Sequence, residues 1–365
     1  MYTIKDLLRL TPPSCIIFYV TIMVPMMGCD KAEVSSSTMS SVDLLETQDA
    51  EVDAEEDAEM SSRELPTLED DVLGIALDGF FPEGITRSDE GDFYIGSVNT
   101  GTIVVVRRGQ QWAQELISGA RLEGAGTAGL IADSARGSLW ACTGDFFGQI
   151  PSKIWRFDLL TGETQAQYTL PGRSFCNDLA LDDQGRVYAT DSFGGRIMRI
   201  DDQMLEVWLE GTEYEPVNSP LSLNGITWDP QGKIWFGRSD TGQLSSVVIN
   251  PDGSPGYVQA DQLTLPEDMT PLGIDGLKWR SNDELIAIRG REVYQLVRRF
   301  DSESEADWET NLLDATLNHA TTFAFDEPKD AVWVVESQLS NFYRSVPPEF
   351  PFQVRRIHLP ARSSE

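Results

Sequence analysis

Histidine and cysteine are scarce in this chain, with two His and four Cys in 365 residues. Four cysteines are too few for a disulfide-built scaffold, and none are spaced as a Cys-x-x-Cys pair. Zinc usually calls for imidazole or thiolate ligands, which the sequence hardly supplies. Cations are few as well: 28 Lys and Arg stand against 59 Asp and Glu, a formal net charge of -31 with a pI near 4.3. A phosphate-binding surface needs clustered Lys and Arg to release counterions, and no such cluster occurs, which excludes nucleic acid as a partner. Glycine-rich phosphate loops and Gly-x-Ser-x-Gly elbows are also missing. The longest apolar run, Cys15 to Met27, is too short to span a bilayer comfortably.

That short run has the length of a signal h-region, and Lys5 and Arg9 give it a basic start. Residues 1–29 therefore read as a signal peptide, and its end, Val-Pro-Met-Met-Gly-Cys29, resembles a bacterial lipobox. Met27 stands where such boxes usually carry a small residue, so an ordinary secretory signal is the alternative. The expectation is an exported protein of the bacterial cell envelope, lipidated at Cys29, touching membrane only through that anchor. From Asp30 to Asp71 there are fifteen Asp or Glu against Lys31 and Arg63. Such a segment cannot bury enough apolar surface to offset chain entropy, so residues 30–71 are expected to form a disordered acidic linker. Cys142 and Cys176 remain. They would pair in an oxidising compartment, but each also suits a buried strand, and both readings stay open.

The rest of the chain repeats. The stretch FFPEGITRSDEGDFYIGS (80–97) aligns with TAGLIADSARGSLWACT from Thr127, CNDLALDDQGRVYATDS from Cys176 and LNGITWDPQGKIWFGRS from Leu223. IDGLKWRSNDELIAIRG from Ile274 and ATTFAFDEPKDAVWVVES from Ala320 complete the set. Each copy reads as a strand, a turn rich in Asp, Asn, Gly or Pro, and a second strand. The column that starts at Glu83 continues as Ala128, Asn177, Asn224, Asp275 and Thr321, at intervals of 45, 49, 47, 51 and 46. That period, with about four short strands per unit, predicts an all-β fold, a six-bladed β-propeller over residues 72–360 with a tail at 361–365. GRIMRID and KIWRFDL supply third strands of their blades. LGIALD and FQVRRIHL are left over at the two ends and are expected to share one blade, closing the ring.

Equivalent positions in a closed ring lie at one height around the axis. Glu83, Asn177, Asn224 and Asp275 should therefore converge, two carboxylates and two amides at a partly buried place. Singly, Asn or Asp before Gly is a turn former. Four in one register of a repeat point instead to an oxygen-only cation site, suited to Ca²⁺ and less well to Mn²⁺ or Mg²⁺. Ala128 and Thr321 leave gaps where water or substrate would enter, so Thr321 is a candidate substrate contact.

PEGI, CNDLA, LNGI and IDGL, one per blade and in that order, resemble the metal-site motifs of the SMP-30/gluconolactonase/LRE family of six-bladed propellers. The Glu, Asn, Asn, Asp order is similar, more distantly, to diisopropylfluorophosphatase and paraoxonase. The resemblance implies a divalent metal, usually calcium, held by Glu83, Asn224 and Asp275 with Asn177 as a fourth ligand or a substrate contact, and hydrolysis of a lactone or related ester in which Asp275 orients or deprotonates water. Where the lactonases carry an arginine two residues before the Asn177 motif, this chain has Phe175, with Arg173 two further back. The paraoxonase histidine pair has no full counterpart: His319 is a candidate catalytic residue, while His358 reads as a surface residue of the last strand. Asp145 and Asp191, each near a glycine turn, read as Asx caps. The competing class is a surface-anchored propeller that binds a ligand or protein partner without catalysis. A strictosidine-synthase-like condensation fits the oxygen column poorly. Substrate and oligomeric state are not written in the sequence.

Overall fold

Each of the six repeats folds as a four-stranded antiparallel sheet. The computed structural model describes residues 65–217, 219–261, 263, 273–299 and 307–361. The leader, Cys29 and the linker as far as residue 64 lie outside these. Among the described residues no helix is long and apolar enough to cross a membrane.

The first strand, β1 (Val72–Ile75), belongs to the last blade. Blade 1 holds β2 (Pro82–Arg87), β3 (Phe93–Ser97), β4 (Ile103–Val106) and β5 (Gln114–Ile117). Blade 2 holds β6 (Gly126–Asp133), β7 (Ser138–Gly144), β8 (Lys153–Asp158) and β9 (Thr164–Thr169). Blade 3 follows with β10 (Cys176–Leu181), β11 (Val187–Asp191), β12 (Arg196–Asp201) and β13 (Met204–Glu210). Blade 4 is β14 (Leu223–Asp229), β15 (Lys233–Arg238), β16 (Leu244–Ile249) and β17 (Pro255–Asp261). Blade 5 is β18 (Leu277–Ser281), β19 (Glu284–Arg289), β20 (Glu292–Arg299) and β21 (Asp307–Asp314). Blade 6 has β22 (Ala320–Phe325), β23 (Ala331–Glu336) and β24 (Phe352–His358), with a short helix, α1 (Leu339–Arg344), between the last two. Its fourth strand is β1, paired with β24 in the register Val72↔Arg355 to Ile75↔Phe352. The two ends of the ring are thus sewn together by backbone hydrogen bonds, as the leftover strands predicted, and no blade edge is left open at the seam.

There is no single core. Six apolar clusters fill the six clefts between neighbouring blades, because each sheet has two faces and a ring gives each face a partner. The seam cleft joins Leu73, Val335, Phe352 and Val354 to Ile85, Phe93 and Ile95. Tryptophans fill several clefts: Trp235 of blade 4 meets Trp279 and Trp308 of blade 5 edge-on, with centroids 5.4 and 5.6 Å apart.

The cleft between blades 2 and 3 is also covalently closed. Cys142 on β7 and Cys176 on β10 form a disulfide with a Cα–Cα distance of 5.1 Å. Of the two readings open to the sequence, pairing is the one observed, and it is combined with full burial of both residues. The bond fixes the strand that carries Asn177, the next residue. A crosslink enclosing 34 residues constrains the unfolded chain by about 4 kcal/mol in the loop-entropy model. Replacing both cysteines by alanine should lower stability by about that amount, seen as a smaller extrapolated unfolding free energy in guanidinium titrations. An unchanged unfolding midpoint would rule the bond out as a brace.

Candidate functional site

The innermost strand of each blade carries the column residue, and the strand bends at that place. In β2, β6, β10, β14 and β22 the pairing register shifts across the column residue and its successor, for example between Pro82 and Ile85 and between Leu223 and Ile226. A bulge of this kind re-aims a side chain. In blade 5 the column residue Asp275 comes just before β18, its amide bonded to Ile288 O at 2.9 Å.

Small successors let the bulges crowd together. A Cβ on Gly84 would lie 2.0 Å from Ala128 O, and one on Gly225 2.1 Å from Asp275 O. That proximity allows hydrogen bonds between blades: Gly225 N to Asp275 O at 3.1 Å, Gly276 N to Thr321 O at 2.8 Å, and Thr321 Oγ1 to Glu83 O at 2.8 Å. The Gly after Asn or Asp is thus a close-approach position here and not a turn residue.

The four expected ligands do meet. Glu83, Asn177, Asn224 and Asp275 line one small cavity with Gly129, Asp178, Gly276 and Thr322. Its volume is about 10 Å³, enough for one water or one ion. Glu83, Asn177 and Asn224 are 8, 4 and 6 % exposed. Burial, then the charges of Asp275 and Asp178, push the Glu83 carboxyl well above its usual range. Asp275 is pushed up to about 8 by burial and by Asp178, with a hydrogen bond from Asn224 opposing. Asn177 Nδ2 donates to Ser192 Oγ at 3.0 Å, which turns the amide oxygen the other way. Thr322 Oγ1 is buried and has no hydrogen-bond partner.

These features fit a bound divalent cation. Buried acids with raised pKa values would instead ionise around a positive charge, and the donors are all oxygen. Among the described residues no three His, Cys, Asp or Glu side chains are grouped to hold an ion; the column supplies two carboxylates and relies on amides for the rest.

Two other candidates fall outside the cavity lining. Thr321 spends its hydroxyl on Glu83 O, and the next residue, Thr322, faces the cavity in its place. His319 adopts φ +57° just before β22, and its Nδ1 is 2.8 Å from Ser340 Oγ. Burial and then Arg291 push its pKa down. His358 is exposed, 3.8 Å from Asp71, and Arg173 lies over the Phe193 ring at 4.1 Å. Asp145 accepts from the amides of Phe147, Gln149 and Ile150, and Asp191 from those of Phe175 and Gly194, so both act as caps.

Two residues escaped the sequence reading. Asp178 is the only acid among the column's successors, and its signal was the CND triplet where other copies have glycine. Its carboxyl accepts from Leu179 N at 2.8 Å and Ile226 N at 3.3 Å. Burial raises its pKa and Lys278 opposes; burial lowers that of Lys278 and Asp178 opposes. Lys278 lines a 300 Å³ cavity farther down the inner strands, with Leu179, Ile226, Trp228 and Trp279. The second, Tyr343 of α1, has its hydroxyl pushed up by burial, Asp275 and Glu83. It sits outside the repeat, so no register pointed to it.

Fold and site together define a six-bladed β-propeller with acids and amides gathered at one end of its axis. No family model and no curated protein sequence matches the chain. Solved structures do match its fold. The major allergen Mala s 1 of Malassezia sympodialis is similar at TM-score 0.60 and 15 % identity, over 80 % of this chain and 96 % of that one. A luciferin-regenerating enzyme gives 0.56 and 13 %, over 78 and 93 %. A gluconolactonase of Xanthomonas campestris gives 0.54 and 16 %, over 79 and 89 %. At such identities the likeness carries the architecture, and function rests on the site.

The raised acids set a pH dependence. A carboxyl whose folded pKa lies above its unfolded value contributes stability that is full below the unfolded value and lost as pH rises through the folded one. For Asp275 the window runs from the ordinary carboxylate range to about 8. Chelator-treated protein should therefore melt at falling temperature from pH 5 to 8, Asp275→Asn should flatten that slope, and Ca²⁺ should reverse it. A profile that Asp275→Asn leaves unchanged would show that this carboxyl is not raised.

Proposed function

We propose that this chain is a hydrolase of a lactone or related ester that depends on a divalent cation held at the propeller axis. The observation that carries the reading is the meeting of Glu83 and Asp275, both buried and both with raised pKa values, in a cavity of single-ion size. Glu83, Asn224, Asp275 and the Asn177 amide oxygen would hold the ion, with Ca²⁺ the best match and Mn²⁺ or Mg²⁺ the alternatives. Such an ion supplies Lewis-acid polarisation of a carbonyl and a lowered pKa for water.

The chain's own residues bind, orient and move protons. Asn224 orients Asp275 by the hydrogen bond between them. Asp275, oriented in this way, is the group that aligns a water and accepts its proton. Asn177, fixed by Ser192 and by the neighbouring disulfide, positions the substrate carbonyl. His319, held by Ser340 and with its pKa lowered, is a neutral base at the edge of this constellation. The cavity has no room for a substrate, so the reacting ester lies above it, at the mouth of the channel.

Export and lipid attachment at Cys29 belong to the same proposal. The disulfide supports export, because such bonds persist in oxidising compartments. A small molecule is then the substrate, met outside the cytoplasm.

The test is a lactone and ester panel run with and without metal. Turnover should vanish with a chelator, return with Ca²⁺ or Mn²⁺, and fall at least about 100-fold in kcat/KM for Asp275→Ala and Glu83→Ala. Variants as active as the parent would show that the chemistry lies elsewhere. Metal-dependent thermal stabilisation without turnover of any panel member would instead establish the non-catalytic binding protein.

A further inference from the structure

Beside the axial acids, the same mouth of the channel carries a continuous aromatic surface. Phe81 stands two residues ahead of Glu83, and Phe175 two ahead of Asn177; both are buried. Phe146 stacks on Phe175 with centroids 5.0 Å apart and planes 19° from parallel. Phe342 packs edge-on against Phe81 at 5.2 Å. Tyr343 meets the edges of both Phe146 and Phe342 at 5.7 Å. The surface climbs from a buried floor through half-buried Phe146 and Phe342 to an open rim, where Tyr343 is 57 % and Phe147 76 % exposed. Phe81 and Phe175 each come just before the inner strand that carries a column residue, so the surface stands at that end of the column.

This surface is braced. Asp145 holds the Phe146–Phe147 loop through three amides, and Gln338, next to α1, is bonded to Glu349 through both ends of its amide. Polar side chains at this mouth are engaged elsewhere. Ser192 and Ser222 donate to the carbonyls of Leu223 and Ser192, Asp191 takes Arg196, and Asp240 takes Arg238. Among the described residues the exposed exception is Arg173, which lies over the Phe193 ring, and each sugar hydroxyl desolvated without a partner costs binding free energy. An apolar group laid on the rings gains roughly 25 cal/mol for each Å² removed from water.

We propose that the substrate is an apolar lactone or ester, bearing an aromatic ring or an alkyl chain, and that Phe146, Phe342 and Tyr343 form the wall on which that group lies. This assignment rests on the hydrolase reading for its reacting bond, but the wall is testable without turnover. The probe is 3,4-dihydro-2-quinolone, a lactam with the shape of a benzo-fused δ-lactone, titrated by calorimetry into the Ca²⁺-loaded full chain. Parallel kinetics compare dihydrocoumarin with glucono-δ-lactone.

The lactam should bind the parent, bind at least tenfold more weakly to Phe146→Ala and Tyr343→Ala, and bind normally to Tyr343→Phe, which keeps the ring. The parent's kcat/KM should favour dihydrocoumarin at least tenfold, and the two alanine variants should lose most of that preference through KM. Unchanged melting curves separate these losses from misfolding, since Tyr343 is exposed and Phe146 only half-buried. Lactam binding without hydrolysis of either lactone would keep the wall and sink the hydrolase. Preference for glucono-δ-lactone without lactam binding would keep the hydrolase and sink the wall.

Discussion

Crowding of six inner strands around one axis is the constraint from which the site follows. Their backbones approach so closely that a side chain on Gly84 or Gly225 would overlap a neighbouring carbonyl. Two consequences are coupled. The strands exchange hydrogen bonds from blade to blade, as at Gly225–Asp275 and Thr321–Glu83, and in five of the six blades the register breaks beside the column. A flat inner strand would alternate its side chains between two clefts. The bulge instead sends one residue per blade toward the axis. Closure therefore creates the site, and the strand pairing between β1 and β24 completes the blade that lies between those of Glu83 and Asp275.

That origin explains why so much was legible. Hairpin turns, the repeat period and the leftover end strands specify the ring without any knowledge of side-chain contacts, and the column is read off the same alignment. What stayed hidden lies off the repeat or against its pattern. Tyr343 and Phe342 come from α1, an insertion between β23 and β24 that no other blade has, so periodicity is silent about them. Thr321 was placed by register, but a hydroxyl one atom from a β-branched centre is short, and it bonds to the adjacent Glu83 carbonyl before it can reach the axis. The pairing of Cys142 with Cys176 depends on two blades lying side by side. Sequence places each cysteine on a strand and says nothing of the 5.1 Å between their Cα atoms.

Phe175 shows how one substitution connects to a whole surface. Where the resemblance leads one to expect arginine, a ring is buried, and Phe146 stacks on it. Phe146 in turn supports Tyr343. A cation at that place would present charge and hydrogen bonds to a substrate; a ring presents only a face. Asp191, Ser192 and Ser222 nearby are committed to backbone partners, and Arg173 lies over the Phe193 ring that packs on Phe175.

Charge is distributed along the axis in a definite order. Lys278 sits lower in the channel within reach of Asp178, so that acid has a built-in counter-charge. Glu83 and Asp275 above have none of their own, and Asp178 adds to their repulsion. In a medium of low effective dielectric, such a pair must take up a proton or a cation. A second ammonium beside the upper acids would have offset their charge, as Lys278 does in part for Asp178, and would have filled the small space that the column lines. Leaving the upper pair unmatched keeps that space open to an exchangeable charge, which is the property a reacting centre needs and a purely structural axis does not.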